Sequence, residues 1–167
     1  MNPIETNIQI HTLEPSHLPA ILQLNNAHAE ETSLMTESTM TALLNIAFYA
    51  RGIANGSAAL LIALDQNAPY INPNFSWFQQ RRESFVYIDR IIVAASHRGR
   101  GIARALYLDL FAAAKQAGHA RVVCEVNTHP PNPASDAFHA AMGFLPIGEA
   151  SIHNGKKTVR YFEKILA

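Results

Sequence analysis

The stretch from Ile91 to Leu106 constrains the fold more than any other part of the chain. A β-branched apolar run, Ile91-Ile92-Val93, gives way to a polar loop holding Gly99 and Gly101. The helix-forming run Ile102-Ala103-Arg104-Ala105-Leu106 follows at once. Glycine accepts the backbone angles of a tight loop, so several backbone N–H groups can converge where the helix begins. The first N–H groups of a helix have no partner within it, and the helix dipole favours negative charge at that end. Arg98, Arg100 and Arg104 add mobile positive charge to the same end. The stretch therefore reads as a seat for a pyrophosphate.

Two common phosphate loops do not fit. A Walker loop needs Gly-Lys followed by Ser or Thr, which the sequence lacks. A dinucleotide fingerprint, Gly-x-Gly-x-x-Gly, fails at its third glycine, where Arg104 stands. Composition narrows the field further. The 167 residues suit one ordinary domain, 1–167, and with 49% hydrophobic and 16% charged residues they can bury a real core. Thirteen basic residues balance thirteen acidic ones, which leaves no electrostatic footprint for general nucleic-acid binding. No apolar run reaches the roughly 18 residues that span a bilayer. Met1-Asn2-Pro3-Ile4-Glu5 lacks the basic and apolar regions of a signal peptide. A single cysteine, Cys124, excludes an intrachain disulfide framework, and no Cys/His spacing points to a metal. The expectation is a soluble cytoplasmic protein.

In chain order, Ile8–Leu13 alternates as a half-buried strand, and Glu14-Pro15-Ser16-His17 opens a helix with Ile21, Leu22 and Leu24 on its apolar face. Asn25 to Ser38 is polar and irregular, and Met40–Ala47 reads as a second helix. Phe48–Ala54 and Ala58–Leu64 read as strands joined across Asn55-Gly56, the second apolar enough for burial on both faces. Asp65–Glu83 is a long connection carrying Tyr70, Phe75, Trp77 and Phe78. It is either a loop pinned by its aromatics or a lid over a substrate site. Phe85–Val93 is the strand feeding the phosphate loop, and Ile102–Ala117 is the helix leaving it, stopped by Gly118. A strand over Arg121–Val126, a helix over Ala134–Met142 ended by Gly143, and strands over Leu145–Ile152 and Val159–Leu166 complete the chain.

The loop resembles the signature of the GCN5-related N-acetyltransferases (GNAT), (Gln or Arg)-x-x-Gly-x-(Gly or Ala), with Arg98, Gly101 and Ala103 at its fixed positions. A second block agrees. Asn132, Phe138, His139, Gly143 and Phe144 stand where that family shows Asn-x(5)-(Leu or Phe)-Tyr-x(3)-Gly-Phe, and the element order is also the family's. The likeness spans residues 8–166, with its motifs confined to 86–144, and is closest to a bacterial group of predicted acetyltransferases sharing the run Asn132–His139. It implies an α/β fold in which helices flank both faces of a mixed, mostly antiparallel sheet whose middle strands splay. It also implies transfer of an acetyl group from acetyl-CoA to a primary amine by direct attack. The pantetheine arm would lie along the backbone of Ile91, Ile92 and Val93. Arg98, Gly99, Arg100, Gly101, Ile102, Ala103 and Arg104 would hold the pyrophosphate, and Asn132, Phe138 and His139 would complete the cofactor site.

Amine acetylation requires a positioned thioester, an amine freed of its proton and a stabilised leaving thiolate. Strand alternation sets Tyr87, Asp89, Ile91 and Val93 on one face of their strand and Ile88, Arg90 and Ile92 on the other. Asp89 is thus a candidate base just ahead of the pantetheine site, unless it is spent on an ion pair with Arg90 or Arg82. Glu125, on the neighbouring strand, is the second candidate, and the family also relays protons through water. His139 stands where the family's tyrosine donates to the leaving sulfur, a role an imidazole N–H could take. Cys124 reads as a core residue. The acceptor region falls on the first two helices, the Asp65–Glu83 connection and the terminal strands, with Glu30 and Glu31 available to attract an ammonium group. Small-molecule amines and peptides both qualify as acceptors, and family habit favours a homodimer. The alternative is a non-catalytic module that binds acyl-CoA as a sensor.

Overall fold

The computed structural model describes residues 7–167, so the reading of Met1–Glu5 lies outside the described residues. Successive elements are β1 (His11–Thr12), α1 (Leu18–Ala27), α2 (Ala29–Thr32), α3 (Glu37–Ile46), β2 (Tyr49–Ile53), β3 (Ala59–Asp65), α4 (Pro73–Gln79), β4 (Val86–Val93), α5 (Ile102–Gln116), β5 (Arg121–His129), α6 (Pro133–Ala141), β6 (Leu145–Ile152) and β7 (Lys157–Ile165). Among the described residues the strands form one seven-stranded sheet of order β1-β2-β3-β4-β5-β7-β6. Its β4–β5 pair is parallel, whereas β1–β2, β2–β3, β5–β7 and β6–β7 are antiparallel. This is the mixed, mostly antiparallel sheet with flanking helices that the sequence resemblance implies. The chain gathers into two compact units, one running to Ala63 and including Asp89–Leu110, the other made of Leu64–Ile88 and Phe111–Ala167.

In the first unit the alternating run from Ile8 yields only a short edge strand. His11 and Thr12 pair with Gly52 and Arg51, and Leu13 adds one N–H bond to the Ala50 carbonyl at 3.0 Å. The β2–β3 hairpin turns where expected, with Asn55 and Gly56 both at positive φ (58° and 85°) and Ile53 opposite Ala59. Residues Ala59 to Leu64 are each 0% exposed, so β3 is buried on both faces, as its uninterrupted apolar run requires. The stretch after α1 is more ordered than its polarity suggests. Asn25 Nδ2 donates to the Ser33 carbonyl at 2.9 Å, and the Asn26 side chain bonds both the carbonyl and the N–H of Met35 at 3.1 and 3.0 Å. These amides hold the short helix α2 in place. Helix α5 is tied to β2 through Asp109, whose Oδ2 accepts from the Tyr49 hydroxyl and from Arg51 Nη1, each at 2.7 Å. Burial first, and then this bond to an anionic acceptor, push the Tyr49 phenol far above its usual pKa.

In the second unit the long connection contains helix α4. Asn72 caps it, its Oδ1 accepting from the N–H groups of Asn74 and Phe75 at 2.9 and 3.2 Å, and Pro73 opens its first turn. Phe75 and Phe78 are 0% exposed, and Trp77 stacks on Tyr161 with ring centroids 4.0 Å apart. Trp77 also leaves room for no side chain at position 148, since a Cβ there would stand 2.6 Å from its ring. Of the two readings of this connection, the aromatic pin is the one the packing displays. Strand β5 runs on to His129, beyond the expected Val126, because β7 keeps pairing with it as far as His129↔Thr158. Glu163 on β7 accepts from Arg82 Nε at 2.6 Å and Arg121 Nη1 at 3.1 Å. Partial burial alone would raise its pKa; the two guanidinium bonds outweigh that and hold it below the usual glutamate value.

Candidate active site

The first unit carries the Arg98–Arg104 loop that the sequence reads as a pyrophosphate seat. Gly99 and Gly101 have φ of 77° and 76°, a left-handed conformation that β-carbon-bearing residues resist, and no heavy atom lies within 4 Å of where a Cβ would stand on either. Helix α5 makes its opening backbone bond from Ala105 N–H to the Gly101 carbonyl at 3.0 Å. The N–H groups of Ile102, Ala103 and Arg104 precede that bond and have no acceptor within the helix. Arg98, Arg100 and Arg104 are exposed around them, while Ile102 is buried and anchors the turn. Open space over two glycines, helix-end amides and three arginines fit a pyrophosphate, which is compact, anionic and rich in acceptors.

Strand β4 leads into this loop with the expected alternation: Ile88, Arg90 and Ile92 are buried, and Asp89, Ile91 and Val93 are half-buried. Arg98 Nε reaches back to the Val93 carbonyl at 3.4 Å. Asp89 is engaged in an ion pair, its Oδ2 2.7 Å from Arg90 Nε, with side chains only 4% and 8% exposed. Arg90 Nη1 also donates to Asn25 Oδ1 at 2.7 Å. Through Asn25 the pair is linked to Ser33, so it braces the segment after α1. Glu30, in the same region, is exposed, and the side chain of Glu31 lies outside the described residues.

The second unit carries Glu125 and His139. Glu125 lies on β5 opposite Tyr161 of β7. Its Oε1 accepts from the Tyr87 hydroxyl at 2.9 Å and from Asn74 Nδ2 at 3.1 Å, and Asn74 Oδ1 accepts from the Tyr161 hydroxyl at 2.9 Å. Burial, then the charge of Glu125, raise the Tyr161 phenol to about 12, with Arg81 pulling the other way. Cys124 beside it is buried, and burial followed by the same carboxylate push its thiol up, as suits the inert core residue expected. The β4–β5 ladder joins Val86 to Val122 and Tyr87 to Val123. Tyr87 therefore closes the register, with Glu125 two residues further along β5.

His139 is 5% exposed on α6, stacked on Phe162 and edge-on to Phe138 and Phe144. Its Nδ1 is 2.7 Å from the Ser135 carbonyl, an acceptor only. The neutral ring therefore holds its proton on Nδ1 and a lone pair on Nε2. Burial lowers the pKa of His139, although the Ser135 bond and the charge of Asp136 oppose the shift. The donor role expected from the sequence needs a doubly protonated ring, and burial disfavours that form. Asn132 caps α6 by accepting from Ser135 N–H at 3.3 Å and is exposed, and Phe138 is half-buried against His139. Sequence reading did not place Asn74, Tyr87 and Tyr161 around Glu125. The Asn72-Pro73 pair does signal the start of α4, but nothing in the sequence pairs position 74 with position 125.

The profile of the Acetyltransferase (GNAT) family matches residues 58–144. Solved structures agree in fold across almost the whole chain. The Brucella melitensis ribosomal-protein-alanine N-acetyltransferase superposes with a TM-score of 0.73 at 19% identity, covering 95% of this chain and 100% of that one. Ard1 from Thermoplasma volcanium gives 0.72 at 15%, covering 95% and 97%. The NatC complex bound to Gag peptide and CoA gives 0.71 at 16%, covering 96% and 99%. A sequence search of curated proteins returns no match. The profile covers more than half of the chain and contains the Arg98–Arg104 loop, β5 and α6, so the chain belongs to the GNAT acetyltransferase family. Among the described residues no helix is long and apolar enough to cross a membrane.

Proposed function

We propose that this protein is an acetyl-CoA-dependent N-acetyltransferase, a single catalytic domain over 1–167 that acetylates a primary amine by direct attack. The observation that carries the reading is the loop from Arg98 to Arg104, where two left-handed glycines leave open space beside helix-end amides. Acetyl-CoA would supply an acetyl group activated as a thioester. In this reading the loop amides and arginines hold the pyrophosphate, and the backbone of Ile91–Val93 orients the pantetheine arm. The family resemblance also assigns Asn132, Phe138 and His139 of α6 to cofactor binding. The names of the solved relatives, which include a ribosomal-protein-alanine N-acetyltransferase and a complex with a peptide, support acceptors that include peptide amines.

Glu125 takes the base role, because Asp89 is committed to Arg90 within a buried pair. The acceptor ammonium gives a proton to the Glu125 carboxylate, directly or through one water. The freed nitrogen forms the C–N bond as the C–S bond breaks, the sulfur leaves as a thiolate, and the second proton shed by the nitrogen as it becomes an amide passes to solvent or, through it, to that thiolate. A thiol of pKa about 8.5 costs only ~1.4 kcal/mol to leave unprotonated at pH 7.5, so no proton donor is required at His139. The need for a base depends on the acceptor. An α-amine of pKa about 7.8 is substantially neutral at pH 7.5, whereas about one lysine-like amine in a thousand is.

Thiol release from acetyl-CoA, measured over a panel of amino acids, polyamines, aminoglycosides and peptides, tests the proposal. Turnover with at least one amine is expected. Calorimetric CoA binding without release on any of them would return the chain to the sensor reading. Glu125→Gln should lower kcat/KM by roughly 10²-fold or more at pH 7 and recover as the acceptor deprotonates itself. Equal activity in the variant at every pH would remove Glu125 from the mechanism.

A further inference from the structure

Asn74 is a polar residue, 7% exposed, on a helix otherwise pinned by aromatics. Burying an amide is costly unless both of its ends are bonded, and here both are. Its Nδ2 donates to Glu125 Oε1 at 3.1 Å, and its Oδ1 accepts from the Tyr161 hydroxyl at 2.9 Å. The polarity of the bridge is chemically fixed, because an ionised carboxylate only accepts. Tyr87 brings a second donor to the same oxygen at 2.9 Å. Two donors converging on one carboxylate oxygen favour the ionised form and hold the group in one rotamer.

We propose that Asn74 is a positioning residue for proton transfer: its amide, braced by Tyr161, keeps the Glu125 carboxylate ionised and aimed. This rests on the reading of Glu125 as the base. It adds a role for α4 that packing alone does not require, since an apolar side chain would fill the same buried position between aromatics. The ionisable groups around Glu125 include Tyr87 from β4, Tyr161 from β7 and Cys124 beside it on β5, with Arg81, just after α4, acting on Tyr161. The Tyr161 phenol and the Cys124 thiol, both shifted upward, stay neutral across the acid range. They donate or stand by, and do not titrate with the carboxylate.

The test is a pH titration of the protein with ¹³C-labelled glutamate side chains, the Glu125 resonance being assigned by its loss in Glu125→Gln. The wild-type Glu125 midpoint is the reference. Asn74→Leu should raise that midpoint by about one pH unit, and Tyr87→Phe by a similar amount. Asn74→Asp, nearly isosteric, should raise it further by setting a second carboxylate against the first. The acid limb of kcat/KM, read with the most active amine of the panel above, should move with the midpoint. Melting temperatures identify variants that retain the fold, and Tyr87→Phe is the mildest of them. A midpoint unmoved in folded Asn74→Leu and Asn74→Asp overturns the positioning role while leaving Glu125 as base untouched. Midpoints that move while Glu125→Gln turns over like wild type would instead sink the base reading, and the positioning role with it.

Discussion

His139 sits where the neutral imidazole is the favoured form, and that has a consequence for stability. Its folded pKa lies below the unfolded value of about 6.5, so protonation favours the unfolded chain. The contribution is fully present above about pH 6.5 and drains away as pH falls through the folded pKa. Calorimetric melting temperatures should decline between pH 7.5 and 5, and the decline should flatten in His139→Phe. The same variant should lose less at pH 7.5 than the roughly 10²-fold an authentic proton donor supplies. Gly101 gives the second test at this scale. Its φ of 76° strains any β-branched replacement, by about 1–2 kcal/mol, and the new side chain would project into the space where a pyrophosphate fits. Gly101→Val should therefore weaken CoA binding more than tenfold by titration calorimetry, and Arg98→Ala less, since the amides remain. Equal affinity in Gly101→Val would count against the seat.

At the scale of elements, α5 carries the loop and is tethered to β2 by one carboxylate. Asp109 satisfies a phenol that is only 3% exposed, so Asp109→Ala strands the Tyr49 hydroxyl and should cost about 1–3 kcal/mol in a urea melt. Tyr49→Phe removes the stranded group, so the double variant should be less destabilised than the two single effects added together. Additive losses would mean that the two side chains are not coupled. Strand β1 shows why elements differ in legibility. The alternation Ile8–Leu13 is that of a strand, but a strand is defined by its partner, and β2 offers ladder positions only to His11 and Thr12. Helix α4 is the converse case. Its Asn-Pro start and three aromatics sit in a polar stretch, and only burial of Phe75 and Phe78 distinguishes a packed helix from a loop.

For the molecule as a whole, acid should act in two stages. His139 loses its contribution first, below about pH 6.5. Glu163, held low by Arg82 and Arg121, stabilises the fold above its unfolded value of about 4.3 and loses that contribution as pH falls through its folded pKa. Glu163→Gln should abolish the lower stage and leave the upper one, as read from melting temperature against pH. A single transition unaffected by either variant would refute this ordering.

The sequence by itself determined the glycine turn ahead of α5, the Asn55-Gly56 hairpin, the ends of α6 to within a residue, and the order of the strands with α1, α3, α5 and α6, but not α2 or α4. Each of these depends on chemistry within a few residues: a glycine's backbone freedom, a cap, a proline, an apolar period. Only the tertiary structure decided what the acidic side chains are spent on. Asp89 and Glu125 look equivalent as letters on strands, but one is closed off by Arg90 and the other receives Tyr87 and Asn74 from elements distant in sequence. The tautomer of His139 was likewise set by a carbonyl on its own helix together with burial by Phe162 and Phe144. Desolvation and hydrogen-bond partners are properties of packing, and no spacing rule along the chain encodes them.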